Sequence, residues 1–548
     1  MTEPTEPTEP TEPTEPTATD ALAAHAEELH RFEQHARDAL RRGRLEEAAT
    51  WAQIGATYAW FNHCGIFASD ALEGVLDEVA CRTTPLPGAT GGTGAPGPSA
   101  VRRVLHVATS LYQTGGHTQA IRCWVEQDSA REHRLVVTRQ GPTPVPDKIL
   151  GVPGLAVRRL DRAPGGLLAR ARRLRDAAAW ADVVVLHTHN NDVVPTLALH
   201  AWSAAPPTVL VDSNDHTFWV GRTSASLVMH MRDSGRDHGR VRRGLGPDDS
   251  FVLERPLRFT GRTRSRDEAK IELGLDPAQV VVATAADPTK YRPVSAESFL
   301  GLVVPVLQAN PRAVLVAAGP AMDDDGWRAA AAATGGRVRA LGLVPDVSRL
   351  HEAADVYLDS FPFSSLTSLL EAASLGNPAV TYRGHPAGAE VLGADTRGLE
   401  HVLCAPVDAR TFAAALGALV ADEDHRRRLG ERTAQSVLVR HVGAGWSARA
   451  TRLYEMAGSR PGRIVPGPVG EASGLDALVD LVMERTGLAT GAVGAVRSNA
   501  GLLPVRARLR AVRDVAPAHD LTLARWVLPE WQHSALGRVR RGLQARAD

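Results

Sequence analysis

The chain has 548 residues, of which 44% are hydrophobic, 23% charged and 5% aromatic, so at roughly 100 to 200 residues per domain it is long enough for about three or four domains. Its 62 Lys and Arg residues cancel its 62 Asp and Glu residues. A net charge of zero excludes a global basic field for nucleic acid or an anionic membrane surface, so partners must be inferred from individual sites.

Cysteine usage and hydropathy indicate the compartment. The four cysteines lie far apart, without a Cys-x-x-Cys pair, which favours a reducing cytoplasm over a secreted, disulfide-linked fold. The N-terminus lacks the basic and apolar start of a signal peptide, and no apolar run approaches the roughly 18 residues that a membrane span needs. We therefore expect a cytoplasmic protein.

The first hundred residues divide into three segments. Residues 1–20 contain five Thr-Glu-Pro repeats and are predicted to be a disordered tail, because proline forbids helix and the acids repel one another. Residues 21–82 place apolar residues at helical spacing and predict a helical, tetratricopeptide-like module that packs on the protein or docks a protein partner. Residues 83–100 are rich in Gly and Pro and are predicted to be a linker, since they follow no strand that a dinucleotide-binding loop would require.

From residue 101 onward, short β-rich runs alternate with helical stretches. Two such series, at residues 101–260 and 261–457, predict an α/β protein with two lobes, each a parallel sheet with helices on both faces. Residues 458–548 predict a Gly/Pro-rich hinge and a helical segment with a solvated basic face. Ligands of parallel sheets bind beyond the carboxyl ends of the strands, at helix N-termini, so we expect the site in the crevice between the lobes.

The stretch DVYLDSFPFSSLTSLLEAASLGNPAV at residues 355–380 carries the strongest signal. It predicts a buried strand, a Ser-rich loop and a helix that begins near Leu366. Free backbone N–H groups at a helix start suit a diphosphate, to which Thr367 and Ser368 add hydroxyl donors, while Glu371 suits a sugar diol. The alternative is a helix cap formed by Ser365 or Thr367 and completed by Glu371.

This segment, with its Asp-Ser-Phe-Pro strand end, small-residue loop, Thr-Ser and Leu-Glu-Ala, resembles the donor site of nucleotide-sugar glycosyltransferases of the glycosyltransferase-B fold. The resemblance extends over about residues 101–457. It implies two Rossmann-like lobes, no cofactor and no metal, because this fold neutralises the leaving phosphate with helix dipoles and basic side chains. The donor-binding residues that it implies are Gly115, Gly116, Lys290, Ser365, Thr367, Ser368 and Glu371.

Histidines mark the acceptor side. In VVVLHTHNND, His187 and His189 lie two apart at a strand end and are expected to point to one side; His189 resembles the histidine that contacts the acceptor or the reacting sugar in the family. The alternative is a metal held by both histidines and Asp192. In VDSNDHTFWVG, Asp215 is expected to raise the basicity of His216 and so to make it a general base, unless the segment is an ordinary Asn-Asp turn.

Some positions depart from the family pattern. Many retaining members have Glu eight positions before Glu371 and Arg five positions before Lys290, where this chain has Phe363 and Ala285. Together with the helical N-terminal module, the Asp-Ser-Phe-Pro-Phe segment is more similar to the branch that contains protein O-linked N-acetylglucosamine transferases. We therefore favour inversion by direct displacement, with His216 or His117 as base.

The sequence thus predicts a metal-independent glycosyltransferase that moves a sugar from a nucleoside diphosphate sugar to a hydroxyl acceptor, which is a glycan, a small molecule or a protein. Two alternatives stay open: a nucleotide-sugar epimerase on the same architecture, and a catalytically silent scaffold that binds nucleotide sugars.

Overall fold

The computed structural model describes residues 18–84 and 101–515, apart from residues 114, 296, 386–388, 394, 396, 461, 486 and 488. Most of the predicted Thr-Glu-Pro tail, nearly all of the predicted linker, and residues 516–548 of the C-terminal segment lie outside the described residues.

In the described part of the chain, the helices are α1 (Ala18–Arg41), α2 (Leu45–Phe61), α3 (Asp70–Thr83), α4 (Gly116–Gln127), α5 (Asp147–Leu150), α6 (Leu167–Ala178), α7 (Val194–Leu199), α8 (Asp233–Arg243), α9 (Arg266–Glu272), α10 (Phe299–Ala309), α11 (Asp325–Ala333), α12 (Ser348–Ala353), α13 (Thr367–Ser374), α14 (Ala409–Ala421), α15 (Glu423–His441), α16 (Gly443–Gly458), α17 (Gly474–Arg485), α18 (Gly491–Asn499) and α19 (Val505–Val515). The strands are β1 (Arg103–Ala108), β2 (Glu132–Val137), β3 (Ala156–Arg159), β4 (Val183–His187), β5 (Thr208–Asp212), β6 (Leu227–His230), β7 (Ser250–Val252), β8 (Val280–Ala285), β9 (Ala313–Ala318), β10 (Val338–Ala340), β11 (Val356–Leu358) and β12 (Ala379–Val380).

The strands form two parallel sheets. Their orders are β3-β2-β1-β4-β5-β6-β7 and β10-β9-β8-β11-β12, so each sheet reverses its strand order between its first and fourth strands. Such a switch point opens a crevice at the carboxyl ends of the strands. Runs such as β4 and β9 are buried along their whole length, because helices cover both faces of a parallel sheet. The predicted class, two Rossmann-like lobes flanked by helical segments, is confirmed.

The N-terminal helices are built into the first lobe. The carboxylate of Glu46 in α2 accepts hydrogen bonds from the main-chain N–H groups of Leu167 and Leu168, the latter at 3.2 Å, at the start of α6. Buried Glu73 in α3 accepts from the N–H of Gly221 at 2.8 Å and from the hydroxyl of Thr223 at 2.9 Å. The buried face of this module therefore packs on the lobe, and a protein partner at its outer face stays a prediction.

Helix α16 packs on the first lobe, although its sequence lies at the end of the segment predicted as the second. Trp446 and Tyr454 on its buried face join the core beneath the first sheet. The indole N–H of Trp124 donates to the Tyr454 hydroxyl at 2.7 Å, and that hydroxyl donates to Asp128 at 2.8 Å. The chain thus crosses back to the first lobe, because the apolar stripe of α16 covers a face of the first sheet that local sequence does not identify.

The segment predicted as a hinge follows the first lobe. The main-chain N–H groups of Ile464 and Gly467 donate to the carbonyls of Ala225 and Gly244 at 2.9 and 2.8 Å. Beyond it, α18 and α19 contribute to the same core as α1 and α2. The two ends of the described chain therefore meet on one side of the first lobe.

Candidate active site

A cavity of about 420 Å³ lies between the two lobes, at the carboxyl ends of their strands. It draws side chains from both lobes and from α2. The residues singled out from the sequence that line it are Gly116, His117, His189, Asp215, His216, Lys290, Ser365 and Thr367. The crevice rule for parallel sheets therefore located the cavity from sequence alone.

Two helix N-termini meet in this cavity. Helix α4 begins at Gly116 and α13 at Thr367, and neither start carries a side-chain capping hydrogen bond. A Cβ atom on Gly116 would lie only 2.8 Å from the Thr367 hydroxyl oxygen and 2.6 Å from Nη2 of Arg255. The first N–H groups of both helices are thus left without a side-chain cap, and their positive dipole ends suit an anion. The alternative of a helix cap from Ser365 or Thr367 is wrong.

The backbone before each helix has an uncommon conformation. Gly115, which precedes α4, has φ of 96°, a value that favours glycine. Leu366, which precedes α13, has φ of 21°. Among the described residues, it is the one residue other than glycine that has a positive φ. Backbone outliers of this kind are concentrated at ligand sites, and here both flank the same cavity.

Two cations line the cavity beside the helix starts. Lys290 donates to the carbonyl of Ser364 at 2.7 Å, and its Nζ lies 4.3 Å from the ring centroid of Phe363. Burial lowers the pKa of Lys290 to about 8, although the charge of Asp359 opposes the shift. The second cation is Arg255, which the sequence reasoning missed.

The Arg255 side chain is only 8% exposed. Its Nη1 contacts the Met231 sulfur at 3.5 Å, and none of the carboxylates in the described ranges forms an ion pair with it within 4.0 Å. Burial lowers the pKa of its guanidinium. Unpaired buried charge is costly, so this guanidinium marks a place for an anion. The sequence signal was a lone Arg after the three-residue strand β7, which was itself not predicted.

The Ser-rich loop is held by the strand end before it. Oδ1 of Asp359 accepts from the N–H of Ser365 at 2.8 Å and from its hydroxyl at 2.7 Å, while the Tyr357 hydroxyl lies 2.9 Å from the same Ser365 oxygen. The Ser365 hydroxyl is therefore used to shape the loop that precedes α13.

Three predicted donor-binding residues, Gly115, Ser368 and Glu371, do not line the cavity. The Ser368 hydroxyl lies 2.9 Å from Nε2 of His351. Glu371 lies one turn into α13, near Arg255, and burial raises the pKa of its carboxyl to about 7 while Arg255 opposes the shift. A carboxyl that titrates near neutrality changes between hydrogen-bond acceptor and donor in the working pH range.

Asp215 is bound by an arginine. Its two carboxylate oxygens accept from Nε and Nη2 of Arg232, both at 2.7 Å, whereas Nδ1 of His216 lies 3.7 Å from Oδ1. Burial lowers the pKa of His216, although Asp215 opposes the shift. Asp215 does raise the pKa of His216, as expected, but burial has the larger effect and lowers the net pKa, and Arg232 pairs with the same carboxylate. His216 is thus neutral at neutral pH.

His117 presents an unused nitrogen. Its Nε2 is buried and lacks a hydrogen-bond partner among the described residues, while the carbonyl of His187 accepts a hydrogen bond from the same ring. Burial lowers the pKa of His117 well below its usual value. The ring proton therefore lies on Nδ1, and the lone pair of Nε2 is available as a proton acceptor.

His187 and His189 have different environments. His187 is buried and its Nε2 lies 3.0 Å from Nδ1 of His106, within the first sheet. His189 lines the cavity and stacks on Tyr112, with ring centroids 5.9 Å apart and planes 2° apart. Asp192 accepts from the Thr109 hydroxyl at 2.7 Å and from the N–H of Val194 at 3.0 Å. In the described ranges, neither these residues nor any other group of three His, Cys, Asp or Glu is arranged to hold a metal ion.

Residues 289–422 match the family described as glycosyl transferases group 1. The matched residues lie within the second lobe. The resemblance predicted from the sequence is confirmed, and the matched segment contains both Lys290 and the start of α13. This match supports sugar transfer as the general activity.

Several solved structures are similar to this chain. Anabaena Alr3699/HepE in complex with UDP and glucose is 16% identical, with a TM-score of 0.48, over 65% of this chain and 99% of that one. A glycosyltransferase from Rickettsia africae ESF-5 is 10% identical, with a TM-score of 0.49, over 65% of this chain and 98% of that one. A mutant O-GlcNAc transferase of Thermobaculum terrenum is 17% identical, with a TM-score of 0.45, over 80% of this chain and 87% of that one. The search of curated proteins found no match.

None of the helices in the described ranges is long and apolar enough to cross a bilayer.

Proposed function

We propose that the protein transfers a sugar from a nucleoside diphosphate sugar to a hydroxyl acceptor, without a metal ion. One observation carries the proposal: the uncapped N-termini of α4 and α13 converge with Lys290 and Arg255 on a single cavity. Two helix dipoles and two cations are the chemistry that binds a diphosphate.

The diphosphate is the leaving group in this mechanism. As the bond from the anomeric carbon to the phosphate oxygen breaks, negative charge develops on that oxygen. The helix N–H groups, Lys290 and Arg255 stabilise the developing charge, and preorganised donors of this kind commonly contribute the largest part of catalysis. Outside the cavity lining, we propose Glu371 as an acceptor for a diol of the nucleoside and Ser368 as a neighbouring hydroxyl.

The acceptor hydroxyl needs a base, and His117 is our first candidate. Its Nε2 lone pair has no described partner, and a neutral imidazole is the form that accepts a proton. The acceptor oxygen forms its bond to the anomeric carbon as the bond to phosphate breaks, the electron pair stays on the phosphate oxygen, and the acceptor proton moves to Nε2. His216, which lines the same cavity beside Asp215, is the second candidate, and His189 contacts the acceptor.

The test begins with a thermal-shift panel of uridine, guanosine, adenosine and thymidine diphosphates, because a bound ligand stabilises the native state by RT ln(1 + [L]/Kd). We expect one diphosphate to raise the melting temperature, and the corresponding sugar nucleotide to be consumed in excess chelator. Absence of any response would refute the proposal. Binding with slow diphosphate release but no acceptor transfer would favour the epimerase, and binding with neither would favour the scaffold.

Location is part of the same proposal. All four cysteines are free thiols, which is usual in a reducing compartment. We therefore propose a cytoplasmic enzyme, and tagging with a redox-sensitive fluorescent reporter would test this directly.

A further inference from the structure

Helix α2 of the N-terminal module reaches the cavity. Trp60, one residue before the end of α2, lines the same cavity as Lys290 and His117. Its ring centroid lies 5.6 Å from that of His189 and 4.4 Å from that of Phe61. A module that the sequence assigned to packing or docking therefore contributes a side chain to the candidate active site.

Trp60 belongs to an aromatic wall, which we define as Trp60, Tyr112 and His189. Tyr112 is 47% exposed and stacks flat on His189. Burial lowers the pKa of His189 to about 4, so its ring is neutral at neutral pH. The wall thus offers aromatic faces without charge.

Most of the polar groups beside the aromatic wall are uncharged. Thr188, Ser213 and Asn214 line the cavity there with a hydroxyl or an amide. Of the two acids on this side, Asp215 pairs with Arg232 at 2.7 Å, whereas Oδ2 of Asp212 lies 3.1 Å from Nδ1 of His230 and its Oδ1 has no hydrogen-bond partner among the described residues. This side of the cavity therefore differs from the opposite side, where the cations Lys290 and Arg255 can bind an anion.

A neutral ring with both C–H and hydroxyl groups fits this combination. Aromatic faces pack on the C–H face of such a ring, and a few side-chain hydroxyls and amides orient its polar groups. A peptide strand would instead need a row of unpaired main-chain groups along a sheet edge, and a phosphorylated acceptor would need a free cation. The chemistry of the wall thus favours a saccharide.

A buried network anchors the chain just after α2, three residues beyond Trp60. His63 lies 2.8 Å from Oδ1 of Asp476, and the same carboxylate accepts from Arg242 at 2.9 Å. These residues join the N-terminal module, α17 and α8. Side chains held by buried ion pairs move little, which suits a wall of a binding site.

We propose that the N-terminal module completes the acceptor site, and that Trp60 and Tyr112 stack on a neutral sugar ring of the acceptor. This inference rests on the proposed sugar transfer and adds to it the class of the acceptor and the role of the module.

The test measures binding of methyl glycosides of glucose, galactose, mannose and N-acetylglucosamine by saturation-transfer NMR. The protein is the full chain saturated with the diphosphate that the thermal-shift panel identifies. Glucose 6-phosphate and a Ser-containing peptide serve as charged and peptidic comparison ligands. We expect at least one methyl glycoside to bind, and Trp60→Ala to weaken it about tenfold.

Matched variants separate stacking from folding. Trp60→Phe keeps an aromatic face and should retain the affinity within about threefold. Trp180→Ala removes a half-buried tryptophan that contacts Arg134 away from the cavity, and should leave glycoside binding unchanged. The diphosphate affinity should be the same in all three variants.

The inference is overturned if no methyl glycoside binds, if only the phosphate or the peptide binds, or if Trp60→Ala binds the glycoside as tightly as the wild type. In each of these outcomes the wild type still binds its diphosphate, so the donor site stands. Loss of diphosphate binding by the wild type would instead refute the proposed function itself.

Discussion

Replacing Arg255 by methionine distinguishes a ligand-binding arginine from a structural one. The guanidinium is buried, donates to the Met231 sulfur and lacks a carboxylate partner in the described ranges. Methionine has a similar length and no charge. The substitution therefore removes a desolvated cation and opens only a small cavity.

The expected effects have opposite signs. Hydrogen bonds to charged groups contribute about 1.5 to 3 kcal/mol, so the variant should bind its nucleoside diphosphate about 10- to 150-fold more weakly. Removing a buried charge that has no partner should raise the free energy of unfolding of the unliganded protein by about 1 to 3 kcal/mol. A structural arginine would show the reverse, a loss of stability with unchanged affinity.

Two measurements on the same samples check this. Calorimetry gives the diphosphate affinity, and thermal unfolding with and without the diphosphate gives both stabilities. Arg258→Met is the matched control, since this exposed arginine is three residues away and lies 3.8 Å from Glu126. A variant that melts at a lower temperature than the wild type but binds the diphosphate equally well would refute the reasoning.

The remaining predictions concern the helix start, the base, the lysine and the buried histidines. Gly116→Ala should weaken diphosphate binding at least tenfold, because its Cβ would meet neighbouring side chains at 2.6 and 2.8 Å; Gly74→Ala, which meets nothing within 4 Å, should bind normally in the same calorimetric titration. His117→Ala should lower turnover about 100-fold or more while diphosphate affinity stays within about threefold, and full turnover would discard it as base. Because burial lowers the pKa of Lys290 to about 8 and a bound anion raises it, diphosphate binding between about pH 8 and 9 should take up a proton, which calorimetry in buffers of different ionisation enthalpy detects. Burial lowers the pKa of His187 from 6.5 to about 3, so the native state favours the neutral ring. The resulting stability is present above pH 6.5 and is lost as the pH falls toward 3. Denaturant unfolding should therefore show the free energy of unfolding falling over that range.

The local sequence pattern was sufficient to predict much of the donor-binding side of the cavity. A continuous apolar run predicts a buried parallel strand, and the change from that run to a Ser-rich loop and a helical period places the start of α13 near Leu366. Both signals lie within a few residues of one another, where chain geometry alone determines the spacing. The family resemblance also pointed to Lys290 before any contact was known.

Local pattern misled where burial and charge compete. Sequence places Asp215 next to His216, and a neighbouring carboxylate alone would raise the pKa of the imidazole. The tertiary structure brings Arg232 to Asp215 and buries the ring, so the pKa of His216 is lowered. Desolvation depends on everything that surrounds a side chain, and adjacency in the chain does not report it.

The sequence by itself determined the class of the protein, its two parallel-sheet lobes and the location of the cavity at the strand ends. Only the tertiary structure decided which distant residues share that cavity. Trp60 comes from α2, Arg255 from the segment after β7, and Gly116 and Thr367 meet although 251 positions separate them. Such contacts arise from the docking of whole helices and sheets, and periodicity within one element carries no information on which other element it will meet.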